Sequence, residues 1–268
     1  MTAGYPTWRS DLPELMDDPS SDRRLLERTL RQFGLINRLF SRSDELLRRY
    51  LLDDMVRQGR TSATVLDVGA GAGDIARRLV RSARRRGLNL SITCLDSDHR
   101  VVQYAQRNLV NEPSITVQSG SIFEPAHHRA QRYDYVFCNH FLHHLKDDEI
   151  ARFLDIAHRI TRRRLLVNDL LRSYWAALGY KLFAALFLRA SFAQHDGVLS
   201  IRRGFRPAEL RRLVDGSAWV NEATVHTAVP GRVYLLGTRS SSSSRALSRS
   251  LCSRVVGAET ASRSATSD

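Results

Sequence analysis

Asp67-Val68-Gly69-Ala70-Gly71-Ala72-Gly73 joins a short β-type run to a helical run. Glycines tolerate positive φ and let a ligand come close to the main chain, and the start of the following helix offers unpaired N–H groups. Together they suit a nucleotide-like ligand. A dinucleotide fingerprint needs Gly or Ala at position 74, where Asp74 stands. Asp67, two residues before the first glycine, opposes a pyrophosphate and suits a cationic amine. Cys94-Leu95-Asp96 supplies a second acid 23 residues after Gly73, placed to accept hydrogen bonds from two ribose hydroxyls. Further along, His140, His143, His144 and His195 are side chains that exchange protons near neutral pH.

The elements that must hold these residues follow from periodicity. Thr64–Val68, Leu90–Leu95, Ile115–Gln118, Tyr133–Cys138 and Leu165–Asn168 read as short buried strands. Helical runs lie between them, at 74–86, 101–110 and about 146–160. After the fifth strand comes an apolar helical insert with a loop over 170–200, then a helix at 207–215 and two late strands near 220–227 and 232–237. Alternation of this kind predicts an α/β, doubly wound, mostly parallel seven-stranded sheet with helices on both faces, its last two strands forming an antiparallel hairpin. Residues 1–58 are expected to be an N-terminal arm and helical cap, 59–238 the main domain with the insert as a lid, and 239–268 a Ser/Arg-rich disordered tail.

Composition narrows the classes. The net charge is +13, and every basic residue except Lys146 and Lys181 is arginine, a skew typical of GC-rich bacterial genomes. A basic balance invites a nucleic-acid reading, but Cys138-Asn139-His140-Phe141 lacks the proline pair of base-flipping enzymes, so no nucleic acid is expected. Three cysteines without CxxC spacing give neither a disulfide framework nor a zinc site, and no metal is expected. The acidic start (Asp11, Glu14, Asp17, Asp18) is unlike a signal peptide, and no apolar run reaches the ~20 residues of a membrane span; a cytoplasmic protein is expected.

S-adenosylmethionine carries an ammonium and a sulfonium but no phosphate, so the charge logic at Asp67 favours it. Residues 64–168 resemble class I S-adenosylmethionine-dependent methyltransferases: VLDVGAGAGDIARRL is similar to their first motif, CLDSDHRVVQYAQRN to the second, QSGSIFE to the third and YDYVFCNHFLHHL to the fourth. Within that family the chain is most similar to bacterial small-molecule enzymes acting on quinols, phenolic lipids or polyketides. The resemblance implies a Rossmann-like methyltransferase fold, with S-adenosylmethionine held by Asp67, Gly69, Gly71, Gly73, Asp96, Ser97, Ser121, Ile122 and Asn139 and S-adenosylhomocysteine released. Ser121 stands where many relatives carry an acid toward adenine.

The insert Tyr174–Leu188 is apolar around most of a helix. One apolar face suffices for a surface helix; a second calls for burial against the helices of 22–58, a lipophilic substrate, the cofactor beneath a lid, or peripheral membrane contact. The expected reaction is phenol O-methylation of a small aromatic, lipophilic acceptor, with C-methylation second, in secondary metabolism. His195, beside Asp196 and a glycine thought mobile, and His140, at the fourth strand's end, are the candidate bases, followed by His144. The contrasting readings are a non-catalytic binding protein on this fold and a nucleic-acid methyltransferase.

Overall fold

Strands that are buried on both faces need apolar side chains at successive positions, and parallel sheets concentrate such strands. In the computed structural model, which describes residues 6, 8–128, 131–188 and 190–239, this is how the centre of the sheet is built. Ala63 and Val65 of β1 (Ser62–Val68) join one core, and Leu66 and Val68 join the other. A cap of α1 (Arg23–Phe40), α2 (Ser43–Leu47), a π-turn at Arg48–Leu52 and α3 (Asp53–Arg57) precedes β1. Then follow α4 (Asp74–Arg84), β2 (Asn89–Asp96), α5 (His99–Asn108), β3 (Ile115–Ser119), β4 (Tyr133–Asn139), α6 (Asp147–Ile160) and β5 (Thr161–Leu170). The chain continues through α7 (Tyr174–Phe187), α8 (Ala193–Arg203), α9 (Pro207–Asp215), β6 (Ala223–Ala228) and β7 (Arg232–Thr238).

The sheet runs β3-β2-β1-β4-β5-β7-β6. β7 is antiparallel to both neighbours, and the other pairings are parallel, as the alternation predicts. Because β1 is flanked by β2 on one side and β4 on the other, the chain crosses to opposite sides of the sheet from β1. A crevice opens there, beyond the carboxyl ends of the strands. Register brings those ends level: Val68 pairs with Leu95 and Cys138, Asp96 with Ser119, and Asn139 with Asn168.

β5 begins at Thr161, four residues before its apolar run. Its polar start is held by charge. The buried Asp54 of α3 takes Arg163 at 3.2 Å and Arg164 at 2.9 Å, and accepts a hydrogen bond from the Tyr135 hydroxyl at 2.7 Å. The cap is thereby fastened to the sheet. Arg239, assigned by sequence to the tail, is packed: its backbone N–H donates to Arg163 O at 2.7 Å and its guanidinium meets Glu222 at 2.9 Å. The remainder of the expected disordered tail, 240–268, lies outside the described residues.

Two departures concern the insert. His195-Asp196-Gly197 is helix, inside α8, where a loop was expected. Gly197 serves packing: a Cβ there would meet the Tyr180 ring at 2.1 Å, so the glycine lets α7 and α8 close on each other. Asp196 is fully buried and accepts the backbone N–H groups of Leu15 and Met16 at 2.9 and 3.0 Å. It thus fixes the turn Leu15–Asp17 of the N-terminal arm against α8.

Candidate active site

The turn after β1 is held by backbone geometry. Gly69 and Ala70 donate to Leu95 O at 2.8 and 3.2 Å, tying the loop to β2. Gly69, Gly71 and Gly73 have φ of +66°, +56° and +69°, a region costly for side chains with a Cβ. Their tasks differ. A Cβ on Gly71 would meet nothing within 4 Å, and the residue faces a cavity of about 610 Å³. Gly73 does not line that cavity. It caps the start of α4, and a Cβ there would strike Leu109 Cδ1 at 2.4 Å, so its assignment to cofactor contact is corrected to packing.

The other residues expected at the cofactor, Asp67, Gly69, Asp96, Ser97, Ser121, Ile122 and Asn139, all line the cavity. Asp67 is 2% exposed, and its Oδ2 has no hydrogen-bond partner among the described residues. Burial, then the nearby charges of Asp74 and Asp96, push its carboxyl well above the ordinary range. Asp96 accepts from the Gly71 N–H at 2.9 Å and the Asp98 N–H at 3.1 Å, and burial raises its carboxyl too. A buried acid with an unused oxygen, beside a glycine facing open space, fits a cation-bearing nucleoside. S-adenosylmethionine would meet both demands, offering an ammonium to Asp67 and a ribose to Asp96.

The cavity continues from this polar end to an apolar one. Phe33, Ile36 and Phe40 of α1 and Trp175, Tyr180 and Phe183 of α7 line it. Phe40 and Phe183 meet edge to face with centroids 4.8 Å apart, so cap and insert together form the wall. Arm residues Glu14, Met16 and Asp17 also line it.

The histidines separate. His195 does not reach the cavity: its ring is 59% exposed on α8 and points its Nδ1 at Asp196, 2.9 Å away. That removes it from the set able to serve as base, and His195→Ala is expected to leave kcat within about twofold of wild type; a fall of a hundredfold would restore it. His140 lies where expected, after β4, with φ +58°, a strained value for a residue with a side chain. Its Nε2 accepts from the Arg232 guanidinium. Burial, then Arg232, pull its pKa well down, so the ring is neutral with one lone pair engaged. His144 lines the cavity, half-buried, with Nδ1 3.4 Å from Asp17.

Sequence reasoning names Asn139 and His143 but misses the partners that hold them: Asn37, Asn168 and Arg232 around the first, Asp169 and Glu14 around the second. Asn139 Oδ1 accepts from Asn168 Nδ2 at 2.8 Å and Arg232 at 3.3 Å, while its own amide donates to Asn37 at 3.2 Å. His143 sits between two acids, its Nδ1 2.7 Å from Asp169 and its Nε2 3.6 Å from Glu14. Glu14, His143 and His144 bring ligand-type atoms within 4.8 Å of one another. A polar pair, Asn168-Asp169, closing the apolar run of the fifth strand is the sequence signal for this network.

Comparison with known proteins agrees with the fold. Residues 65–164 match a family model described as a methyltransferase domain. A stretch of 81 residues is 31% identical to the ubiquinone/menaquinone biosynthesis C-methyltransferase UbiE of Rickettsia bellii, covering 30% of this chain and 32% of that protein. The chain thus spans about a third of the length of the curated relatives it matches. Among solved structures, a plantazolicin methyltransferase in complex with SAH gives a TM-score of 0.59 at 13% identity, over 84% of this chain and 93% of that one. Human N-acetylserotonin methyltransferase in complex with SAM gives 0.56 at 17%, over 80% and 56%. At such identities the likeness is one of fold.

Proposed function

We propose that this chain, whose residues 65–164 form a class I S-adenosylmethionine-dependent methyltransferase domain, methylates a small, aromatic, lipophilic acceptor, with phenol O-methylation first and C-methylation of an activated ring second. The observation that carries this reading is the continuity of the cavity between Asp67 and the aromatic wall of α1 and α7. A tailoring step of secondary metabolism is the setting it implies.

When bound, the cofactor supplies a methyl group already activated by its sulfonium. The chain's own contribution is to hold and align the reactants and to exclude water. Asp67 would take the ammonium. Asp96 would take the ribose, with Ser97, Ser121 and Ile122 around adenine. His140, Asn139 and Arg232 line the same cavity, the first two bonded to the Arg232 guanidinium. Phe33, Phe40, Tyr180 and Phe183 would grip the acceptor's apolar body.

Calorimetry with S-adenosylmethionine and S-adenosylhomocysteine, followed by turnover on a panel of alkylated phenols, tests the reading. Absence of binding to either nucleoside would refute it; binding with no turnover on the panel would favour a non-catalytic binding protein. Phe183→Ala is expected to raise acceptor KM about tenfold, the effect of losing ~1.4 kcal/mol of aromatic contact, with cofactor affinity within twofold. Equal losses in both would show that α7 is only structural.

The outer side of α7 supports peripheral membrane contact as well. Trp175 is 76% exposed, and Leu182, Leu186 and Phe187 are exposed beside it, an apolar patch suited to a headgroup boundary. No helix among the described residues is long and apolar enough to cross a membrane. In this reading the reaction uses no metal, since His143 already joins two carboxylates as an imidazolium. Treatment with EDTA is expected to leave turnover unchanged; loss reversed by a divalent cation would reassign Glu14, His143 and His144 as ligands.

A further inference from the structure

Arg232 opens β7 at the cavity wall and is only 2% exposed. Every partner of its guanidinium given by the structure is uncharged: Nε donates to Asn168 Oδ1 at 3.4 Å, Nη2 to Asn139 Oδ1 at 3.3 Å, and Nη1 to His140 Nε2. A guanidinium has five N–H donors, so two remain unused among the described residues. The acid whose field acts on it, Asp169, spends Oδ1 on the His143 ring and the Leu170 N–H, each at 2.7 Å, and Oδ2 on the His143 backbone N–H at 3.2 Å. Taking a cation out of water without an anion beside it is costly, and burial pulls Arg232 down to about 10.

The network around it holds the fork still. Asn168 Nδ2 donates to Ser41 O at 2.7 Å and to Asn139 at 2.8 Å, and the Leu170↔Arg232 register pins the backbone. The facing titratable groups do not neutralise it. His140 is neutral, and His143 with Asp169 forms its own pair. Neither does His140 act as a free base, because Arg232 occupies its Nε2.

We propose that Arg232 is an anion anchor in the acceptor site, selecting acceptors that present an oxyanion, a phenolate or an enolate, to its two unused N–H groups. On binding, the acceptor's O–H bond breaks, the proton leaves to solvent, and the electron pair stays on the oxygen facing the guanidinium. Charge complementarity thereby replaces a dedicated base. The inference rests on the acceptor reading above.

The test uses the full chain saturated with S-adenosylhomocysteine and an alkyl-substituted nitrophenol, whose phenolate absorbs in the visible. Wild type is expected to ionise the bound probe at least one pH unit below the free probe, a tenfold change in its ionisation constant. Arg232→Lys should keep part of the shift and Arg232→Met should lose it, with the S-adenosylhomocysteine affinity of both near wild type. A bound probe that ionises at or above the free value in wild type overturns the proposal, and needs no variant to fold. So does a shift that survives in folded Arg232→Met, or a variant that loses S-adenosylhomocysteine while keeping the shift, which would assign the anchor to the cofactor. A probe that fails to bind at all overturns the proposal together with the acceptor reading.

Discussion

Asp67→Asn is expected to raise the melting temperature of the ligand-free protein while weakening S-adenosylmethionine binding by roughly ten- to over a hundredfold. The second effect follows from losing a charged hydrogen bond, about 1.5–3 kcal/mol. The first follows from linkage. Burial, with Asp74 and Asp96 nearby, lifts the folded-state pKa of Asp67 well above its ordinary 3.8, so the unfolded chain sheds this proton first. Stability then falls as pH rises from that ordinary value toward the folded one, and the deficit persists above it. Asparagine keeps the shape and removes the charge; a gain of about 1 kcal/mol would appear as roughly 2–4 °C. Cofactor affinity of wild type should rise with pH as Asp67 ionises, and that rise should vanish in the variant. Gly71→Val should lose the cofactor by another route, since its side chain would project into space that is open and its φ of +56° is hostile to a branched residue. Differential scanning calorimetry and titration calorimetry at several pH values read all of this. Unchanged affinity in both folded variants would remove the cofactor from this end of the cavity.

The five parallel strands and the glycine turn were legible in sequence because their causes are local. Parallel strands buried on both faces write themselves as apolar runs, and the turn needs positive φ at Gly69, Gly71 and Gly73. What escaped was decided at long range. The start of β5 is Thr161-Arg162-Arg163-Arg164, which no strand pattern would claim; Asp54, more than a hundred residues earlier, makes it a strand. His195-Asp196-Gly197 has loop-like residue types, yet Gly197 is fixed in helix by the Tyr180 ring and Asp196 by the arm. Arg232 is one arginine in a chain full of them. Only antiparallel pairing with β5 delivers it beside Asn139 and His140.

His143→Ala is expected to lower stability by about 3–5 kcal/mol, the cost of stranding buried charges once their partner is removed; for a chain of this size that is roughly 6–20 °C in Tm. Burial alone would discharge this imidazole, but Asp169 and then Glu14 outweigh it and hold His143 up at about 9. Glu14 is buried as well, and its bond from His143, with His144 and Ser200 adding to it, takes it down to about 2. The signs define a window. The histidine's contribution is complete below its ordinary 6.5 and is lost as pH rises through 9. The glutamate's is complete above its ordinary 4.5 and is lost as pH falls through 2. Wild type should therefore lose stability on the alkaline side between those two histidine values, and His143→Ala should lack that slope. The effect also bears on the site, because Glu14 joins the arm to the turn after β4, and Glu14, Met16 and Asp17 line the cavity. Releasing the arm should weaken S-adenosylhomocysteine binding in proportion, and Glu14→Gln should do so with a smaller loss of Tm, since Asp169 still pairs with His143. Thermal melts from pH 5 to 10 with and without S-adenosylhomocysteine measure both quantities. A His143→Ala protein that melts as wild type does, with the same alkaline slope, would show that the arm is held by Asp196 and its backbone contacts alone.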